Sequence, residues 1–161
     1  MIALRPATSG DAAAIVALNA AVEAVTSPMD EADFAALLAV SGLCTVVARG
    51  DDVLGFILAM EQGAAYANGN FQWFSDRLNR FIYIDRVVIA DGARGMGLGG
   101  MLYDHLADDA HRKGALVLAA EMDLVPANHG SLHFHGRRGF KQLGTRTLPS
   151  GKVVSMQVLG L

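Results

Sequence analysis

The segment Phe81-Ile82-Tyr83-Ile84-Asp85-Arg86-Val87-Val88-Ile89, then Ala90-Asp91-Gly92-Ala93-Arg94, then Gly95-Met96-Gly97-Leu98-Gly99-Gly100, decides the fold of this 161-residue chain. Phe81 to Ile89 is rich in β-branched and aromatic residues and is the strongest strand signal in the sequence. Leu98, Leu102 and Leu106 recur at helical spacing, so a helix runs from Leu98 to Arg112. The glycines therefore sit where a strand turns into a helix. A helix start carries several N–H groups without partners and a partial positive charge. Glycine lets such a backbone approach a phosphate closely, and Arg94 adds a fixed cation. The turn reads as an anion site, suited to a diphosphate.

Outward from this junction the chain alternates between strand and helix signals. Ile2 and Leu4 alternate with Ala3 and Arg5 in a short first strand that Pro6 stops. Thr8, Ser9 and Asp11 offer caps for an Ala-rich helix with Ile15, Leu18 and Val22 on one stripe. Asp30 caps a second helix carrying Phe34, Leu37 and Leu38, which stops at Gly42. Leu43–Arg49 and Val53–Glu61 read as a hairpin about Gly50-Asp51-Asp52. Residues 62–80 read as a long loop or irregular helix rich in aromatic and amide residues. Beyond the central helix come a strand from Ala115 to Glu121 and a short helix from His129 to Arg137. A final hairpin, Phe140–Thr147 with Val153–Leu159, turns at Pro149-Ser150-Gly151. The order β α α β β β α β α β β predicts an α/β fold of the α+β type: a mixed central sheet of about seven strands flanked by about four helices, and not a bundle or a sandwich.

Hydrophobic residues make up 52% and charged residues 18%, a balance that buries a core and argues against disorder. The length suits a single domain, residues 1–161. A net charge of −3 gives no basic field for nucleic acid. Apolar stretches break well before the ~18 residues a membrane span needs. The lone Cys44 lies in an apolar run and reads as a buried, inert thiol in a reducing compartment, so the expected location is the cytoplasm.

The turn alone leaves the diphosphate open. Gly95-x-Gly97-x-x-Gly100 also fits a dinucleotide fingerprint, with Glu121 and Asp123 placed for a ribose. Against that reading, Ala90–Arg94 separates strand from glycines, and the further βα repeats of a doubly wound sheet are missing. The P-loop string is absent. Arg94-x-x-Gly97-x-Gly99 after Val87-Val88-Ile89 resembles the acetyl-CoA motif of the GNAT superfamily of N-acetyltransferases. Asn128, Ser131, Phe134-His135 and Gly139-Phe140 resemble that family's second motif, at matching spacing. Tyr83–Val88 is similar to a subgroup of uncharacterised bacterial members.

The resemblance implies acetyl-CoA as co-substrate. Val87, Val88 and Ile89 would line up with the pantetheine arm. Arg94, Gly95, Met96, Gly97, Leu98, Gly99 and Gly100 would hold the pyrophosphate, with Asn128 and Ser131 on its other side. It implies two neighbouring strands that splay to admit the thioester, and a homodimer as the family-level assembly. The acceptor would be a small-molecule amine or a protein N-terminus. A non-catalytic acyl-CoA sensor and, further off, a dinucleotide-dependent oxidoreductase are the competing functions.

Acetyl transfer needs a neutral amine, whereas amine pKa values run from ~8 to ~10.4, so a base must help. Period-2 alternation predicts Tyr83, Asp85, Val87 and Ile89 on one face, toward the thioester, making Asp85 a candidate base; its alternative is an ion pair such as one with Arg86. Glu121, read as the end of an apolar strand, is a second candidate whose pKa burial would raise. His135 stands where the resembled family has the Tyr proposed as its acid. The aromatic stretch Tyr66–Phe74 is read as core packing or as a substrate-side wall, with Tyr66 and Trp73 stacking on an acceptor beside Tyr83. His129-x-x-x-His133 has a metal-ligand spacing but no third ligand, so no metal is expected. Ser131 with His135 lacks the Gly-x-Ser-x-Gly elbow of a hydrolase.

Overall fold

A computed structural model describes residues Met1–Leu161. Seven strands form one sheet: β1 (Ile2–Pro6), β2 (Leu43–Arg49), β3 (Asp52–Glu61), β4 (Phe81–Ile89), β5 (Val117–Val125), β6 (Lys141–Thr147) and β7 (Val153–Gly160). They lie in the order β1-β2-β3-β4-β5-β7-β6. Every neighbouring pair is antiparallel except β4 and β5, which are parallel and joined through the central helix. Five α-helices cover the sheet: α1 (Ala12–Ala20), α2 (Glu31–Val40), α3 (Gly69–Ser75), α4 (Leu98–Arg112) and α5 (His129–Arg137). None is long and apolar enough to cross a membrane.

The helix beyond the expected four is α3, within the 62–80 segment. Asn68 starts it, its Oδ1 accepting from the N–H groups of Asn70 and Phe71 at 3.0 Å each. Phe71 and Phe74 are its buried stripe. Asp30 caps α2 as expected, accepting from Asp33 N–H at 2.7 Å, and Asp33 returns the bond at 3.0 Å.

Alternation divides the core into two halves. One face of the sheet packs Phe56, Leu58, Tyr83 and Ala119 against Ile15 of α1, Phe34 of α2 and Phe71 and Phe74 of α3. The other packs Ile57, Ile82, Leu118 and Ala120 against Leu102, Tyr103 and Leu106 of α4, with Phe140 after α5. Both hydrophobic clusters need the sheet between them, so the strands fix where each helix stands.

The parallel pair is short. β4 and β5 pair only from Phe81↔Val117 to Tyr83↔Ala119, although β4 runs on to Ile89 and β5 to Val125. The outer neighbours pull them apart. β3 holds β4 as far as Gly55↔Ile89, and β7 holds β5 as far as Val125↔Val153. A bulge on β4, where Leu58 pairs with Arg86 and Ala59 with Ile84, leaves Asp85 unpaired and adds local twist. β5 also outruns its expected end at Glu121, because β7 pairs with it through Glu121↔Met156 and Asp123↔Val154.

Gly55 tests how tightly β3 holds β4. A Cβ there would lie 2.7 Å from the Val88 carbonyl oxygen, which is backbone and cannot swing away. Gly55→Ala is expected to destabilise the protein by about 1–3 kcal/mol, measured by urea unfolding.

Candidate active site

Where β4 and β5 part, a cleft of about 710 Å³ passes through the sheet. Residues of both faces line it. On the α4–α5 side stand Arg94, Gly99, Tyr103, Asn128, Ser131, Phe134 and His135. On the α1–α3 side stand Tyr66, Asn70, Asp85, Arg86, Glu121, Asp123 and the segment from Val22 to Pro28.

The α4 side is built for an anion. Gly95 and Gly97 have φ of +80° and +75°, a conformation that L side chains rarely adopt, and a Cβ at either would meet open space. The N–H groups of Gly95 to Gly100 donate to no backbone carbonyl of the chain; the first such bond of the helix is Met101 N–H to Gly97 O at 3.1 Å. These open donors lie at the positive end of α4. Leu98 points the other way and anchors the helix start in the core. Met96 is exposed at the tip of the turn. Arg94 lies at the rim, exposed, 3.4 Å from Asp91. Past Tyr83 the β5-facing edge of β4 has no strand partner, so the backbone of Val87, Val88 and Ile89 is open to an extended ligand. Asn128 caps α5, its Oδ1 accepting from Ser131 N–H at 3.2 Å. A pantetheine diphosphate fits this donor set.

His135 is buried and held at both nitrogens. Nδ1 lies 2.7 Å from the Ser131 carbonyl and donates to it, which leaves Nε2 to accept the Tyr103 hydroxyl at 2.5 Å. Burial pushes its pKa below the usual value, so the ring is neutral. Burial also raises the Tyr103 phenol.

On the opposite face the carboxylates cluster. Glu121 accepts the Tyr83 hydroxyl at 2.8 Å on each oxygen and the Asn70 amide at 3.0 Å. Asn70 Oδ1 in turn accepts Arg146 Nη1 at 2.6 Å. Burial lifts Glu121 to about 7, partly offset by the Tyr83 bond, with the neighbouring Asp85 charge adding to the rise. Asp85 accepts the Tyr66 hydroxyl and, at 3.1 Å, Nε of Arg86. Burial raises its pKa too, against the pull of both partners.

Four expectations need correction. Tyr83 and Asp85 do not share a face with Val87 and Ile89. Tyr83 belongs to the α1–α3 core while Val87 and Ile89 pack on the α4 core, because the bulge at Asp85 shifts the alternation. Glu121 lies within β5 and not at its end. Trp73 is not in the cleft: its ring stacks under Arg77 at 3.8 Å and meets Phe74 edge-on. Tyr66 does line the cleft, whereas Tyr83 is fully buried and does not: it meets the site only through its hydroxyl on Glu121. Sequence reasoning missed Tyr103, which read only as helix, and Asn70, which an N-cap at Asn68 would have placed two residues into a helix.

A family model, the acetyltransferase (GNAT) family, matches residues 14–140. The chain belongs to this family, whose co-substrate is acetyl-CoA, and is a transferase of its kind. Solved structures share the fold. Ard1 from Thermoplasma volcanium aligns at TM-score 0.81 and 15% identity, covering 99% of this chain and 97% of its own. An N-acetyltransferase from Staphylococcus aureus Mu50 aligns at 0.76 and 22%, covering 99% and 98%. The yncA structure from Salmonella typhimurium, which holds acetyl-CoA as its cofactor, aligns at 0.75 and 20%, covering 100% and 94%.

Raising a carboxyl pKa on folding costs stability once the group ionises. Glu121 contributes most below its unfolded value of 4.5, and that contribution is lost as pH rises through about 7. Gln at this position keeps the oxygen that accepts both Tyr83 and Asn70. The melting temperature of Glu121→Gln should match the wild type at pH 4.5 and exceed it at pH 8, by roughly 3–8 °C.

Proposed function

We propose that residues 1–161 form one N-acetyltransferase domain that moves the acetyl group of acetyl-CoA to a primary amine by direct attack on the thioester. The observation that carries this reading is Glu121, a carboxylate with a pKa of about 7 and no cation beside it, at the gap where β4 and β5 part. Its donors, Tyr83 and Asn70, are neutral, so it is free to receive an ammonium.

The sheet separates the two reactants. Glu121 holds the amine from the α1–α3 side and takes its proton, which frees the nitrogen lone pair to form the new C–N bond as the C–S bond breaks. A proton moves here from an alkylammonium near ~10.4 to a carboxylate near 7, uphill by about 5 kcal/mol, which desolvation of the ammonium reduces. Asp85 sets the charge beside Glu121 and keeps Tyr66 and Arg86 in place. The attached nitrogen sheds its second proton as the amide forms, and the leaving thiolate, whose thiol ionises at ~8.5, can take it up without a strong acid. His135 is a positioning residue: both nitrogens are engaged, and it aims the Tyr103 hydroxyl from the thiol side. The turn from Gly95 to Gly100 binds the pyrophosphate and Val87–Ile89 the pantetheine. No covalent enzyme intermediate forms, and Cys44 is buried with its thiol pushed up to about 12.

CoA at 100 times its Kd should stabilise the fold by about 2.7 kcal/mol in a thermal shift. Gly97→Glu should abolish the shift, because it places a bulky anion at φ +75° inside the anion site. CoA release from acetyl-CoA should require an added amine. Stabilisation by CoA with no release across a broad amine panel would mark a binding protein instead.

A further inference from the structure

The charges at the acceptor end of the cleft are largely engaged with one another. Asp85 pairs with Arg86 at 3.1 Å, both nearly buried. Arg86 also donates through Nη1 to Asn19 Oδ1 at 3.1 Å and to the Ser27 carbonyl at 2.6 Å. Asp123, two positions beyond Glu121 and on the same face, pairs with Lys152 at 3.0 Å. Asn70 uses its amide on Glu121 and its carbonyl on Arg146, and Asn68 Oδ1 caps α3. Of the three carboxylates that line this end, Glu121 alone has no ion-pair partner. Apolar groups also line the cleft: Val22, Val25 and Pro28 from the segment between α1 and α2, and Leu148 and Val154 from the β6–β7 hairpin. Val25, 45% exposed, presents apolar surface to this end of the cleft.

We infer that the acceptor is a monocationic primary amine with an uncharged, largely apolar body. The inference rests on the acetyl-transfer reading above and narrows it. One ammonium answers Glu121. A second ammonium would find Asp85 and Asp123 already neutralised, and a carboxylate would find Arg86 and Lys152, the cations lining this end, already paired, with Arg146 behind Asn70 and outside the lining. Either extra charge would lose its water without gaining a partner, which is how a site rejects a close analogue.

Three acceptors of equal length separate the cases: pentylamine, 1,5-diaminopentane and 5-aminopentanoate. Their kcat/KM values come from CoA release at fixed saturating acetyl-CoA. Pentylamine should exceed each charged homologue by at least about tenfold, the ratio that 1.4 kcal/mol of discrimination gives. Lys152→Met should shift the preference toward the diamine at least about fivefold, because it frees Asp123, roughly 6.6 Å along the strand from Glu121 and within reach of the second nitrogen. A diamine or amino acid used as well as pentylamine, or an unchanged preference in Lys152→Met, overturns the inference and leaves acetyl transfer standing. Turnover confined to amines carrying a second charge overturns it likewise. No CoA release with any amine would remove the reading beneath it.

Discussion

The parting of β4 from β5 is the constraint on which the rest of the molecule depends. Two parallel strands that paired along their full length would close the sheet and leave no passage. Here three residue pairs, Phe81↔Val117, Ile82↔Leu118 and Tyr83↔Ala119, hold the strands together at one end. Beyond them each strand follows its other neighbour, β4 with β3 and β5 with β7. The gap is thus enforced by ladders on both sides. It opens backbone groups on β4, sets the glycine turn at the mouth, and lets groups from opposite faces of the sheet meet.

That geometry sorts the side chains by role. The bulge at Asp85 keeps Tyr83, Asp85 and Arg86 on the α1–α3 side, where Glu121 and Asp123 of β5 also point. Tyr103 and His135 stand on the α4–α5 side. The carboxylates and the phenol–imidazole pair therefore stand on opposite faces of the sheet and line the same cleft. Neutral donors, not cations, surround Glu121, so burial dominates its ionisation and brings it to about 7. A guanidinium in place of Tyr83 would hold the same carboxylate ionised and make it a weaker base.

The fold was legible because its signals are local. Leucine spacing marks α4, the cap residues mark α1 and α2, and the glycines after Val87-Val88-Ile89 mark the anion turn. The site was legible only in part. Glu121 and Asp85 stand out as charges in apolar strands. Their facing did not, because a bulge is one extra residue whose position depends on the partner strand, here Leu58 and Ala59 of β3. The length of β5 depends likewise on β7. Trp73 has the composition of a binding wall, yet α3 turns it toward Arg77 and Gly144. The pairing of Tyr103 with His135 joins residues far apart in sequence, and no periodicity within either helix announces it.

In the proposed reaction Glu121 receives the amine proton. The pH dependence of kcat/KM for one accepted amine, in the wild type and in Glu121→Gln, measures this most directly. The wild-type profile should rise with pH and bend near 7, where Glu121 is half ionised, and the variant profile should be lower and lack the bend. The same bend in both proteins would assign the proton to another group and rule Glu121 out as the base.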